Sequence, residues 1–217
     1  MILRASGLLF DSDGVLVDSD DAVQEVWSRW AEHWGLDPDV VVPQVHGTPS
    51  RRTVARLVAA PHRSEALTMI DRMELEQADR VRAMPGAATL LRSLPPGTWA
   101  IVTSGTGALA RARLAAAGLP TPTALVTADD VERGKPDPEP YLTAAGLLGE
   151  RPADCLVFED SAAGIAAARA AGVGHLVGVS KTDLSAPGAG VDAFVPDLRH
   201  VVVAGAEVRI VQEPVGG

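Results

Sequence analysis

Four short apolar runs, at about 5–10, 99–104, 123–127 and 155–160, each give way abruptly to polar residues. The first ends GLLF-Asp11-Ser12-Asp13-Gly14, the second WAIV-Thr103-Ser104-Gly105 and the fourth CLVF-Glu159-Asp160. Runs this short that carry no polar alternation read as strands buried on both faces. Helical stretches separate them: 107–117 closed by Gly118, 138–148, and 161–171 closed by Gly172. HLVGV (175–179) and DAFV (192–195) add further strands, and VVVAGAEVRIV reads as a terminal hairpin or edge strand. The alternation predicts an α/β fold with a doubly wound parallel sheet, in which right-handed crossovers bring every strand's C-terminal end to one edge.

Residues 16–84 break that rhythm. From Ala22 the apolar positions 22, 23, 26, 27, 30, 31 and 34 form a helical stripe carrying Trp27, Trp30 and Trp34, with Asp20 or Asp21 as its N-cap. A second helix is expected from Thr48-Pro49 through Val58, and a third capped by Ser64, with Leu67, Ile70, Met73 or Glu74, Gln77 and Val81 along one side. No strand signal interrupts them, and MPGA at 84–87 ends the segment. The division expected is therefore a core of 1–15 and 85–217 with an all-helical cap at 16–84, hinged near 16–19 and 84–86.

Bulk properties narrow the partners. A chain of 217 residues that is 47% apolar can bury a substantial core, with disorder expected only in the final EPVGG. A net charge of −9 argues against nucleic acid. The single cysteine, Cys155, can form no internal disulfide and lies in an apolar run, which fits an inert buried thiol and a cytoplasmic setting. No signal peptide is visible at the start, and the Ala-rich stretch 162–179 is too interrupted by Arg169, His175 and glycines to span a membrane. A monomer is favoured.

The polar residues after each strand therefore meet in one crevice: Asp11 and Asp13, then Thr103, Ser104 and Gly105, then Lys135 in the loop after the third strand, then Glu159 and Asp160. Asp11, Asp13 and Asp160, with Glu159, make a hard-oxygen cluster suited to Mg²⁺. The cation would relieve carboxylate repulsion and admit a dianionic phosphate, which Lys135 and a hydroxyl of the TSG turn could also hold. Asp11 could then attack phosphorus in line, and Asp13 could protonate the departing alcohol.

FDSDGVLVDS, IVTSGT, GKPDPEPY and VFEDSAAGIAAARAAG, in this order, resemble the four motifs of the haloacid dehalogenase-like (HAD) superfamily, in its subfamily with a helical cap after the first motif. VHG (45–47), WAIVTSGT and the VTADDV to GKPDPEPYL stretch resemble its sugar phosphatase, 2-deoxyglucose-6-phosphatase and glycerol-phosphatase branch. The resemblance implies Asp11 as nucleophile and Asp13 as acid/base, with Asp13 offering its backbone carbonyl to Mg²⁺. It further implies Asp160 as a metal ligand, Glu159 as one acting from behind the ligands or through a water, and Lys135 with Ser104, in preference to Thr103, as phosphate binders. His46, Gly47 and Arg51 are candidates to read the substrate. Ser12 departs from the family's usual apolar residue.

The expected activity is Mg²⁺-dependent hydrolysis of a small phosphorylated sugar or polyol. A sugar-phosphate mutase is the alternative; that branch usually has a His twelve residues after the nucleophile, where this chain has Val23. A dehalogenase would lack the second aspartate. A phosphorylated receiver would place its aspartate after a middle strand and carry no inserted cap.

Overall fold

The computed structural model describes residues 1–179 and 190–212; the EPVGG tail lies outside them. The main sheet is built from β2 (Gly7–Phe10), β5 (Trp99–Val102), β6 (Ala124–Val126), β7 (Cys155–Glu159), β8 (His175–Val179) and β9 (Ala193–Val195). Its order is β6-β5-β2-β7-β8-β9 and every pairing is parallel. The chain winds outward from β2 in both directions, so the crevice of an open α/β sheet falls at the end of β2, where Asp11 stands.

Strand periodicity divides the core. Leu8, Phe10, Ile101, Leu156 and Phe158 face one side, against Leu90 and Leu91 of α5 (Ala87–Ser93) and Leu114 of α6 (Gly107–Ala116). Leu9, Ala100, Val102 and Val157 face the other, against Tyr141 and Ala144 of α7 (Glu139–Leu148) and Ala167 and Ala168 of α8 (Ala162–Ala170). The terminal hairpin, β10 (Val201–Ala204) with β11 (Glu207–Ile210), gains a third strand from β1 (Ile2–Arg4). Cys155 is buried in the second layer, where burial pushes its thiol up to about 11.

The segment 16–84 is helical, with one correction. β3 (Val17–Asp18) and β4 (Arg82–Ala83) pair antiparallel where the chain leaves and re-enters the sheet region. Two-residue strands are too short to leave a periodic signature. Between them lie α1 (Asp20–His33), α2 (Pro38–Val41), α3 (Ser50–Leu57) and α4 (Arg63–Glu76), with a separate core around Trp27, Trp30, Val54 and Ile70.

The capping expectations need adjusting. Ser19, not Asp20 or Asp21, takes the α1 cap position, and its hydroxyl goes to Asp13 instead of the helix. Pro49, not Thr48, precedes α3, and α4 begins at Arg63, before Ser64. The short α2, capped by Asp37, follows a Pro signal passed over in the sequence.

Candidate active site

Asp11 directly follows β2, and its backbone N–H is tied to Phe158 O on β7 at 3.0 Å. Behind it Lys135 is buried, donating to Asp11 Oδ1, to Glu159 Oε1 at 2.6 Å and to Val102 O at 3.1 Å. Burial alone would push the ammonium's pKa down; Asp11 and then Glu159 outweigh it and hold the group well above its usual range. Glu159 is saturated as well. Tyr141 donates to its Oε1 at 2.9 Å, and the Ser161 N–H and hydroxyl donate to Oε2 at 2.8 and 3.0 Å. The start of α8 presses on this carboxylate so closely that a Cβ on Gly164 would run into it, which accounts for a glycine inside the Ala-rich helix.

Asp13 faces a different set of partners. Ser19 Oγ and Arg113 Nη1 both donate to its Oδ1, at 2.6 and 2.8 Å. Arg113 comes from α6 and is buried. Across the cleft, Glu74 of α4 accepts from Trp27 Nε1 at 3.3 Å and Ser50 Oγ at 3.2 Å. Burial pushes the Glu74 carboxyl up to about 6, against the pull of the Arg113 charge.

Asp11, Asp13, Ser104, Gly105 and Asp160 line one cleft with His46 and Gly47. Not every candidate joins them. Thr103 is buried with its Oγ1 accepting from Gly105 N at 3.1 Å, so Ser104 is the hydroxyl that lines the space. The Ser104 hydroxyl donates to Gly47 O at 2.9 Å, which links the sheet edge to the helical insert. Arg51 turns away, donating to the carbonyls of Ala128, Val131 and Glu132 at 2.8–2.9 Å. Lys135 sits behind the cleft, with three acceptors for its three donor protons. Ser12 is buried with its hydroxyl unpartnered, while its carbonyl accepts from Leu16 and Val17 to close the turn.

Asp11, Glu159 and Asp160 bring carboxylate oxygens within 4.8 Å of one another, Glu159 with both of its oxygens already engaged. Among the described residues nothing donates to the Asp160 carboxylate, and Gly14, at φ +82°, leaves it room that a Cβ would fill. Burial pushes Asp11 up to about 8 even with Lys135 beside it, and pushes Asp160 well above the carboxylate range. An all-oxygen donor set that one lysine does not neutralise fits a hard divalent cation.

Residues 5–172 match the family model for haloacid dehalogenase-like hydrolases. The chain belongs to that family. This HAD-like hydrolase is 42% identical over 183 residues to hexitol phosphatase A of Escherichia coli, covering 82% of this chain and 84% of that one. It is 36% identical to validoxylamine A 7'-phosphate phosphatase of Streptomyces hygroscopicus, covering 89% and 94%. A hydrolase from Pseudomonas syringae has a similar structure, with TM-score 0.77 at 26% identity over 88% and 93% of the two chains. Among the described residues no helix of the HAD-like hydrolase is long and apolar enough to cross a membrane.

The site of this HAD-like hydrolase also holds residues that the sequence did not disclose: Arg113, Ser19 and Tyr141, and Glu74 as a cleft group. Arg113 sits two residues from Arg111 in a helix of low amphipathicity, and nothing in the sequence says which arginine turns inward. Ser19 and Tyr141 could have been suspected only from knowing their neighbours in space.

Proposed function

We propose that this chain is a Mg²⁺-dependent phosphatase of small phosphorylated sugars or polyols, working through an aspartyl phosphate on Asp11. The observation that carries the proposal is the division of labour between two aspartates: Asp11 is fixed by the buried Lys135, while Asp13 is held at Oδ1 by Ser19 and Arg113. The substrate class rests on the similarity to hexitol phosphatase A.

Asp11 Oδ attacks phosphorus, the bond to the ester oxygen breaks, and Asp13 supplies the proton to the departing alcohol through Oδ2, which no described residue engages. Asp13 then takes a proton from the water that attacks the aspartyl phosphate, and the Asp11 carboxylate and inorganic phosphate are regenerated. Asp11 and Asp160, with the Asp13 carbonyl, would hold Mg²⁺, which supplies charge neutralisation for the phosphoryl oxygens. Glu159, its oxygens already engaged, orients Lys135 and borders that cation. Ser104 and the N–H groups of the following turn face the phosphoryl oxygens. Val23 lines the cleft and has no proton to offer, which favours hydrolysis over mutase transfer.

A panel of phosphorylated metabolites, read by phosphate release, tests the reading. Turnover is expected with Mg²⁺, to vanish in EDTA and to return with added Mg²⁺. Asp11→Asn should lower it by about 10³-fold or more. Undiminished turnover in that variant would refute the assignment.

A further inference from the structure

The wall of the cleft contributed by the helical insert carries Asp20, His46 and Glu74 as its ionisable side chains, beside the hydroxyls of Ser19, Thr48 and Ser50, and neither lysine nor arginine. The insert does not lack cations. Arg51 and Arg52 are turned to the carbonyls of the loop 128–135, Arg63 to Val58 O, and Arg80 to Glu25. Among the described residues the one arginine in the cleft, Arg113, comes from the sheet side; its Nη1 donates to Asp13, its buried Nε has no partner, and its charge already faces Asp13 and Glu74. A second phosphoryl or carboxylate group entering the cleft would therefore meet acids and find no free guanidinium or ammonium on that wall.

Glu74 is the centre of this arrangement. Its carboxylate is buried and fixed at both oxygens, by Trp27 Nε1 and Ser50 Oγ, yet each oxygen accepts only one of those bonds and retains capacity for another. An amide or apolar side chain would fill the same place without a carboxylate's desolvation cost. We propose that Glu74 is the selectivity residue of the cleft, accepting hydrogen bonds from the hydroxyls of an uncharged polyhydroxy body and repelling a body that carries a second anionic group. The proposal rests on the phosphatase reading above. It uses both sides of discrimination, an attraction for one class and a like-charge penalty against the other.

Sorbitol 6-phosphate and 6-phosphogluconate make a matched pair, identical except for a hydroxymethyl or a carboxylate at the far terminus. With Mg²⁺ present, the wild-type protein should favour the former in kcat/KM by about a hundredfold. Glu74→Gln should cut that ratio by about tenfold or more. Glu74→Asp, which keeps the charge, should retain the preference. Glu76→Gln removes the same charge from the exposed face of α4 and should leave the ratio as it was. A wild-type ratio near one overturns the proposal, and so does an unchanged ratio in a Glu74→Gln protein that melts cooperatively. Should Glu74→Gln not fold, Glu74→Met takes its place, and an unchanged ratio in that variant overturns the proposal. If the wild-type protein releases phosphate from neither compound nor from p-nitrophenyl phosphate, the phosphatase reading itself fails, a result distinct from a lost preference.

Discussion

The two walls of the cleft are built on opposite plans. At the sheet edge, charge is dense and its rear layer is saturated: Lys135 serves Asp11 and Glu159, while Tyr141 and Ser161 complete Glu159. On the helical side, Glu74 accepts one bond at each oxygen, from Trp27 and Ser50, and the arginines Arg51, Arg52, Arg63 and Arg80 bond elsewhere. A saturated wall can fix reacting atoms within a narrow range, as in-line displacement demands. A sparsely held wall leaves acceptors for the substrate's own hydroxyls. Under the proposed function, the chemistry falls to the first wall and discrimination between substrates to the second.

The largest effect is expected where the saturated wall is broken. Lys135→Met leaves Asp11 and Glu159 buried without their cation, and an uncompensated buried charge costs about 3–5 kcal/mol. Urea unfolding should register that loss. Phosphate release should fall by about 10²-fold or more even where the variant is fully folded, because Asp11 loses the group that fixes its position. A variant of near wild-type stability would show that Lys135 is not the keystone of this wall.

Arg113→Met probes the junction of the two walls, since Arg113 bonds Asp13 and its charge also acts on Glu74. The expected loss in kcat is about 10–10²-fold with a smaller change in KM, because a positioning group for the acid/base acts mainly in the transition state. Arg113→Lys should recover part of kcat, since an ammonium restores the charge without the planar fork. A change confined to KM would assign Arg113 to substrate binding instead.

The same contrast explains what could be read from the sequence. The positions of Asp11, Asp160, Lys135 and Ser104 near one another were legible because each comes after an apolar strand, and a parallel sheet gathers such positions at one edge. Helices give no comparable pointer. Glu74 sits beside Met73 on a stripe that a helical wheel cannot resolve to one residue, and burial is what separates it from a solvated glutamate. Arg51 failed in the opposite direction: its place beside the His46-Gly47 turn suggested the cleft, but three backbone carbonyls of the loop after β6 claim its guanidinium. Exposed carbonyls of that kind belong to the backbone and leave no trace in residue types.

The smallest effect is expected at one of the contacts that join the walls. Gly47 adopts φ +67°, a conformation that costs an L-residue about 1 kcal/mol, and a Cβ there would also run into Ser161 Oγ at the head of α8. Gly47→Ala must therefore shift the turn away from the sheet edge and stretch the bond from Ser104 to Gly47 O. The thermal midpoint should drop by only a few degrees for a chain of this size. KM for a polyol phosphate should rise by about three- to tenfold, because the helical wall no longer closes at its resting distance from Asp11. A large fall in kcat with KM unchanged would mean that the turn positions the reacting groups themselves, and that the two walls do not divide the work as their contacts suggest.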